Sequence, residues 1–179
     1  MRRLRYNVAA SLDGYITDAN GAYDWIPDDP AVDFTGLFAN VDTIMLGRRT
    51  YEAYEAGRDQ SETAWKADAR VYVISRTLDP ESVRGATVIN DDPVALASAL
   101  RHESGDGDIW LFGGGQLFAT LLDGGQVDAV EVTVVPVLLG GGTPMLASVA
   151  NRAPLVLTHS QVYPSGMVAL HYSVPGARV

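Results

Sequence analysis

The 179-residue sequence contains no cysteine. Disulfide staples and thiolate metal sites are therefore excluded, and a reducing compartment is the natural setting. The chain has to stay folded by packing alone. A domain of this length can do so, because it buries about two thirds of its unfolded surface. Histidine is scarce, and His102, His159 and His171 show no metal-ligand spacing, so no metal site is expected. A Ser/His/Asp arrangement and a G-x-S-x-G elbow are also missing. No run approaches the ~18 consecutive apolar residues of a membrane span. Arg2, Arg3 and Arg5 are followed by Asn7 and Asp13 rather than by an apolar core and a small-residue cleavage site. We read these arginines as flanking a first strand and expect a cytoplasmic protein. Basic residues are in the minority, 13 Lys and Arg against 22 Asp and Glu, for a net charge of −9. Such a surface repels nucleic acid and anionic membranes, which leaves a small molecule as the expected partner.

What is present is an alternation of short apolar runs and amphipathic ones. Residues 6–10, 43–46, 71–74, 87–89, 109–112 and 129–135 have the continuous hydrophobicity of strands buried on both faces. Helix-type segments lie between them. Residues 33–39 place Phe34, Leu37 and Phe38 at helical spacing, and residues 48–56 follow the second run directly. Residues 93–100 start with Asp92 as a cap and Pro93 in the first turn; residues 117–122 stop at Asp123-Gly124-Gly125. This order predicts an α/β fold with a mostly parallel central sheet and helices on both faces. Two further β-type runs, 155–162 and 167–174, flank Tyr163-Pro164-Ser165-Gly166 and predict an antiparallel C-terminal hairpin at one sheet edge. Loops at 57–64 and 103–108 are polar and expected to be exposed. No repeat or linker divides the chain, so residues 1–179 are read as one domain.

Three strand ends carry residues suited to phosphate. In Ile109-Trp110-Leu111-Phe112-Gly113-Gly114-Gly115-Gln116-Leu117 a buried strand runs through glycines into a helix start. Glycine removes the Cβ that keeps a ligand off the backbone, and a helix N-terminus offers unpaired N–H groups and a positive dipole end. The match to G-x-G-x-x-G is incomplete, because Phe118 stands at the last glycine position. A second strand ends in Gly47-Arg48-Arg49-Thr50, whose guanidinium forks match phosphate oxygens. A third ends in Ser75-Arg76-Thr77. Each segment alone is also readable as an ordinary turn or solvated helix end. Ligands of open α/β sheets bind beyond the carboxyl ends of strands, so convergence of the three implies several phosphates or a phosphorylated dinucleotide.

Gly47-Arg48-Arg49-Thr50-Tyr51, Ser75-Arg76-Thr77 and Gly113-Gly114-Gly115-Gln116-Leu117 occur in the order found in dihydrofolate-reductase-like proteins. Ser11-Leu12-Asp13-Gly14-Tyr15-Ile16 and Pro136-Val137-Leu138-Leu139-Gly140-Gly141-Gly142 narrow the likeness. With them the chain resembles the reductase domain of the bifunctional riboflavin-biosynthesis deaminase/reductase and its stand-alone relatives, from about Leu4 to Val174. The resemblance implies a three-layer dihydrofolate-reductase-like fold, NADPH as cofactor, hydride transfer as reaction and a homodimer. It places Gly47, Arg48, Arg49 and Thr50 at the cofactor phosphates and Ser75 and Arg76 near the adenosine 2′-phosphate. Gly113, Gly114, Gly115, Gln116 and Leu117 would line the pyrophosphate, and the first strand near Ala9 and Ala10, with Ile16, would border the nicotinamide. On the substrate side it points to Asp13, Asp33 and Thr133, with Asp33 as the candidate proton source. Each of these has a plainer reading: Asp33 as a helix cap, Asp13 as a turn residue before Gly14, Thr133 as a β-former. The expected activity is reduction of a small heterocyclic or carbonyl substrate, pterin-like or pyrimidinone-like. A non-catalytic NADPH-binding protein is the alternative.

Overall fold

The computed structural model describes residues 1–57 and 68–176. Most of the loop expected at 57–64 therefore lies outside the described residues. The apolar runs form strands, and pairing extends most of them by a residue or two. The main sheet contains β1 (Leu4–Ser11), β3 (Val41–Gly47), β4 (Arg70–Ile74), β5 (Thr87–Ile89), β6 (Asp108–Gly113), β7 (Ala129–Val135), β9 (Val156–Val162) and β10 (Val168–Ser173). Their spatial order is β5-β4-β3-β6-β1-β7-β10-β9. Neighbours from β5 to β7 are parallel. β10 is antiparallel to both β7 and β9. The expected class is thus observed: a mostly parallel sheet closed on one side by a C-terminal hairpin.

Helices α3 (Pro93–His102) and α4 (Gly115–Asp123) cover one face of the sheet, and α1 (Phe34–Phe38) and α2 (Arg48–Gly57) contribute to the other. The first core joins Leu4, Tyr6, Ile109 and Leu111 of the sheet to Leu100 of α3 and Phe118 and Leu121 of α4. Tyr6 stacks on Phe118 at 3.9 Å, and its hydroxyl donates to the Met145 carbonyl at 2.9 Å, so the buried phenol is satisfied. The second core packs Ile44, Leu46, Val71 and Val73 against Tyr51 of α2, with Phe38 of α1 beside it. Each fully buried Leu, Val or Phe contributes about 1.5–3 kcal/mol relative to exposure. No helix among the described residues is long and apolar enough to cross a membrane.

Four details depart from the expectations. The 103–108 segment is not a wholly exposed loop: Gly107 and Asp108 are buried, and Asp108 opens β6. Its polarity is compensated internally, since Arg2 donates from Nε to the Gly107 carbonyl and Arg5 from Nη1 to Asp108, both at 2.9 Å. α1 is shorter than residues 33–39, with Asp33 outside it as N-cap. α4 begins at Gly115, two residues before the expected start, because the third glycine already has helical conformation. A second small sheet, β2 (Tyr15–Thr17) with β8 (Thr143–Pro144), was not foreseen; strands this short carry no periodic signal.

Candidate active site

β3 and β6 are neighbours, and their carboxyl ends lead directly into α2 and α4. Two helix N-termini and two glycine-bearing turns therefore meet at one edge of the sheet. The Gly113–Gly114 peptide is cis. Thr50, in the first turn of α2, faces this turn: its Oγ1 lies 3.4 Å from where a Gly114 Cβ would stand and 3.6 Å from that of Gly113. Among the described residues beyond its chain neighbours, no other atom lies within 4 Å of the Gly114 position. Gly115 differs, because a Cβ there would collide with the Pro144 carbonyl. Gly114 thus leaves room beside the backbone, whereas Gly115 lets the 143–147 segment close on α4, where Ala147 N–H donates to the Gly115 carbonyl at 3.2 Å.

An open groove of about 570 Å³ runs past Arg49, bounded by Thr17, Asp18, Gly21, Gly142 and Thr143. Arg49 and Arg76 are exposed, and among the described residues neither forms an ion pair. Arg48 is exposed but pairs with Glu52 one turn on, at 3.0 Å. Ser75 is buried, and its Oγ accepts from Thr77 and Leu78 N–H at 3.2 and 2.9 Å. Its hydroxyl shapes the loop that carries Arg76. The Leu117 side chain is buried in the first core, so only its main chain faces the turn, while Gln116 is exposed. Ile16 packs partly against that same core from β2.

The other face of β1 carries the second half of the site. Leu4, Tyr6 and Ala10 point into the first core; Arg5, Asn7 and Ala9 alternate with them on the opposite face. Ala9 pairs with Thr133 and Asn7 with Glu131. On this face Asn7, Ala9, Thr133, Trp110 and Phe112 are each partly exposed, in contrast to the closed core opposite. Phe38 stacks on Trp110 at 4.0 Å, and Trp110 meets Phe112 edge-on at 4.6 Å. The result is an aromatic-walled surface beside the converging strand ends.

Its floor is charged. Glu131, 5% exposed, accepts from Arg5 Nε at 2.9 Å, Arg5 Nη2 at 2.8 Å and Asn7 Nδ2 at 2.9 Å. Burial pushes its carboxyl up, but the bonds from Arg5 and Asn7 outweigh burial and hold it below the usual glutamate range. His171, opposite Glu131 on β10, is pushed down by burial against the opposing pull of Glu131, with His159 and Arg5 adding to the depression. Asn7, Trp110, Phe112 and Glu131 were not foreseen as site residues. The available signal was a carboxylate in the valine-rich β7 and an amide in β1, both rare inside buried strands.

The predicted acids sit apart. The Asp13 carboxylate accepts from Ser11 Oγ at 2.7 Å, Gly140 N–H at 2.7 Å and Leu139 N–H at 3.1 Å. It straps the 136–142 segment to the end of β1; the Ser11 bond first, then the two amides, hold its pKa below the usual value. Asp33 Oδ1 accepts from Gly36 N–H at 2.8 Å. Its side chain is exposed, because five-residue α1 leaves its N-cap at the open end of the turn. α1 itself touches the charged floor, since the Leu37 carbonyl accepts from Arg5 Nη2 at 3.5 Å.

Similarity to known proteins covers almost all of this architecture. The chain is 33% identical to the uncharacterized protein YyaP of Bacillus subtilis (strain 168), over 96% of this chain and 94% of that one. A putative riboflavin biosynthesis protein of Shewanella sp. PV-4 has a crystal structure that aligns with a TM-score of 0.81 at 25% identity, over 97% of this chain and 99% of that one. Dihydrofolate reductase from Enterococcus faecalis, complexed with NADP(H), shares the fold at a TM-score of 0.67 and 18% identity, over 97% and 96%. Residues 2–169 match the RibD C-terminal domain family, and the chain therefore belongs to that family.

Proposed function

We propose that this protein is an NADPH-dependent reductase, one domain over residues 1–179, that transfers hydride to a small heterocyclic or carbonyl substrate of pterin-like or pyrimidinone-like type. The observation that carries the reading is the meeting of the α2 and α4 N-termini at Gly113-Gly114, with Thr50 at the turn and space where a Gly114 side chain would stand. Such a cradle suits a pyrophosphate. Arg49 faces the adjoining groove, and Arg76 stands at the end of β4 for the 2′-phosphate. When bound, NADPH supplies the hydride. The chain does the rest. Thr50, Arg48, Arg49 and the backbone of Gly113 to Leu117 bind the phosphates. Ala9 and Ile16 position the nicotinamide, and Thr133 lies beside Ala9 on the substrate side. Asp13 holds the 136–142 strap closed over that end of β1. Asp33, or water held near it, delivers the proton.

A homodimer is part of the proposal, with the β9 edge as the face it uses. All seven β9 residues are exposed, and none is Lys or Pro, the residues that usually blunt a free edge. The test of the reductase reading has two arms. Calorimetric titration is expected to show NADPH binding. Absorbance is expected to show NADPH oxidation with at least one member of a panel of dihydrofolate, dihydropterins, aminouracils and ring carbonyls. Binding without turnover across that panel favours a non-catalytic NADPH-binding protein, and absence of binding overturns both readings.

A further inference from the structure

Asn7 is a polar residue of β1, two positions after Arg5, and its neighbours hold it in one orientation. Its Nδ2 donates to Glu131 Oε2 at 2.9 Å. Glu131 cannot turn away, because Arg5 grips both carboxylate oxygens, at 2.9 and 2.8 Å, and Arg5 is itself held by Asp108 at 2.9 Å. A carboxamide that donates on one side presents its carbonyl oxygen on the other. Among the described residues Asn7 Oδ1 accepts no hydrogen bond, and the side chain is partly exposed on the cleft face. An acceptor left waiting on a half-buried surface is worth most to a donor that arrives with the ligand.

Its place fits that use. Ala9 follows on the same face, about 6.6 Å further along the strand at ~3.3 Å per residue, roughly the width of a heterocycle. Trp110, stacked on Phe38, and Phe112 border the same face and make its surroundings apolar. The floor beneath holds one guanidinium between two carboxylates, Glu131 and Asp108, so its net charge favours a donor edge over an anion.

We propose that Asn7 Oδ1, aimed by Glu131 and Arg5, is a specificity-determining acceptor of the substrate cleft, which takes a hydrogen bond from a ring N–H or exocyclic amino group of the substrate. This rests on the reductase reading above and adds one recognition group to that site. Glu131 and Arg5 are positioning residues. The probes are 7,8-dihydropterin and 5,6-diaminouracil, titrated calorimetrically into the NADP⁺-saturated protein. The wild type is expected to bind at least one of them. Asn7→Thr suits a strand and stays polar, but its single hydroxyl stops short of the amide carbonyl position. It is expected to weaken that probe about tenfold while leaving the protein folded and NADPH affinity unchanged. Asn7→Leu, which lacks any polar atom, is expected to show the same loss and guards against a folding artefact in either variant. Wild-type affinity in both variants overturns the proposal, as does failure of the wild type to bind either probe while it still binds NADPH. If NADPH does not bind at all, the reductase reading itself fails, so the two failures are distinguishable.

Discussion

At the scale of single residues, adjacent glycines of one turn have different duties. Gly114→Val is expected to leave the protein folded and to weaken NADPH by about tenfold or more, because the branched side chain would occupy the space beside Thr50 that backbone approach requires. Gly115→Ala is expected to lower the melting temperature, since its Cβ would meet the Pro144 and Met145 carbonyls, which are backbone and cannot step aside. Overpacking of this kind costs about 1–3 kcal/mol. Circular dichroism melts paired with cofactor titration separate the two outcomes. Asp33 admits an equally direct test. Asparagine caps a helix as well as aspartate does, so Asp33→Asn is expected to preserve the fold and NADPH affinity. Turnover is expected to fall about 10²-fold if the carboxylate supplies the proton, and unchanged turnover would leave Asp33 as a cap alone.

At the scale of elements, the strand ends act as a set. β3 and β6 deliver the glycine turns and the first residues of α2 and α4, while β4 delivers the loop that bears Arg76. Ser75 folds that loop with its hydroxyl, which leaves Arg76 as the exposed cation at this strand end. NADPH is therefore expected to bind about ten- to hundredfold more tightly than NADH, the scale of a charge-assisted contact worth about 1.5–3 kcal/mol. Arg76→Ala should erase most of that preference by lowering NADPH affinity with little change for NADH. Parallel calorimetric titrations of wild type and variant decide it; an unaltered preference would shift the 2′-phosphate contact away from β4.

At the scale of the whole molecule, the buried polar cluster ties three strands together and couples stability to pH. Burial holds the His171 imidazole below its ordinary value of 6.5, so as pH falls below that value the unfolded chain takes up protons more readily than the folded one. The groups facing it are Glu131 on β7, His159 on β9 and Arg5 on β1. Stability is accordingly expected to fall as pH drops through the region below 6.5. It falls again below about 4.5 as the depressed carboxyl of Glu131 begins to lose its advantage. Each kcal/mol lost lowers the melting temperature by about 2–4 °C for a chain of this size. Scanning calorimetry from pH 7.5 to 4 tests this, and His171→Asn should flatten the upper part of the curve; a wild-type profile already flat above pH 5 would contradict it. The same scale includes assembly. Of nine exposed large hydrophobic residues among those described, Leu155, Val156, Leu157 and Val162 cluster at β9. Leu157→Lys is expected to convert a dimer to a monomer in sedimentation experiments, and an unchanged dimer would exclude β9 as the interface.

By itself the sequence determined what depends on local order. Runs such as 109–112 and 129–135 are strands because their hydrophobicity is continuous, and Asp92-Pro93 starts α3 where cap chemistry says it should. The glycine turns and arginines were legible for the same reason: their meaning lies in adjacent residues of one strand-to-helix junction. Only the tertiary structure decided what depends on residues distant in the chain. Asn7 and Glu131 are 124 positions apart, and only the parallel pairing of β1 with β7 makes them partners. Gly115 is a packing glycine because of Pro144, and Asp13 is a strap because Gly140 comes to it across the β1–β7 junction. Asp33 was ambiguous in sequence because one side chain can cap a helix or serve a substrate, and only the tertiary structure placed it exposed at the open end of a short α1. Propensity and motif act over a few residues, whereas the cleft is made by sheet register, which no local pattern encodes.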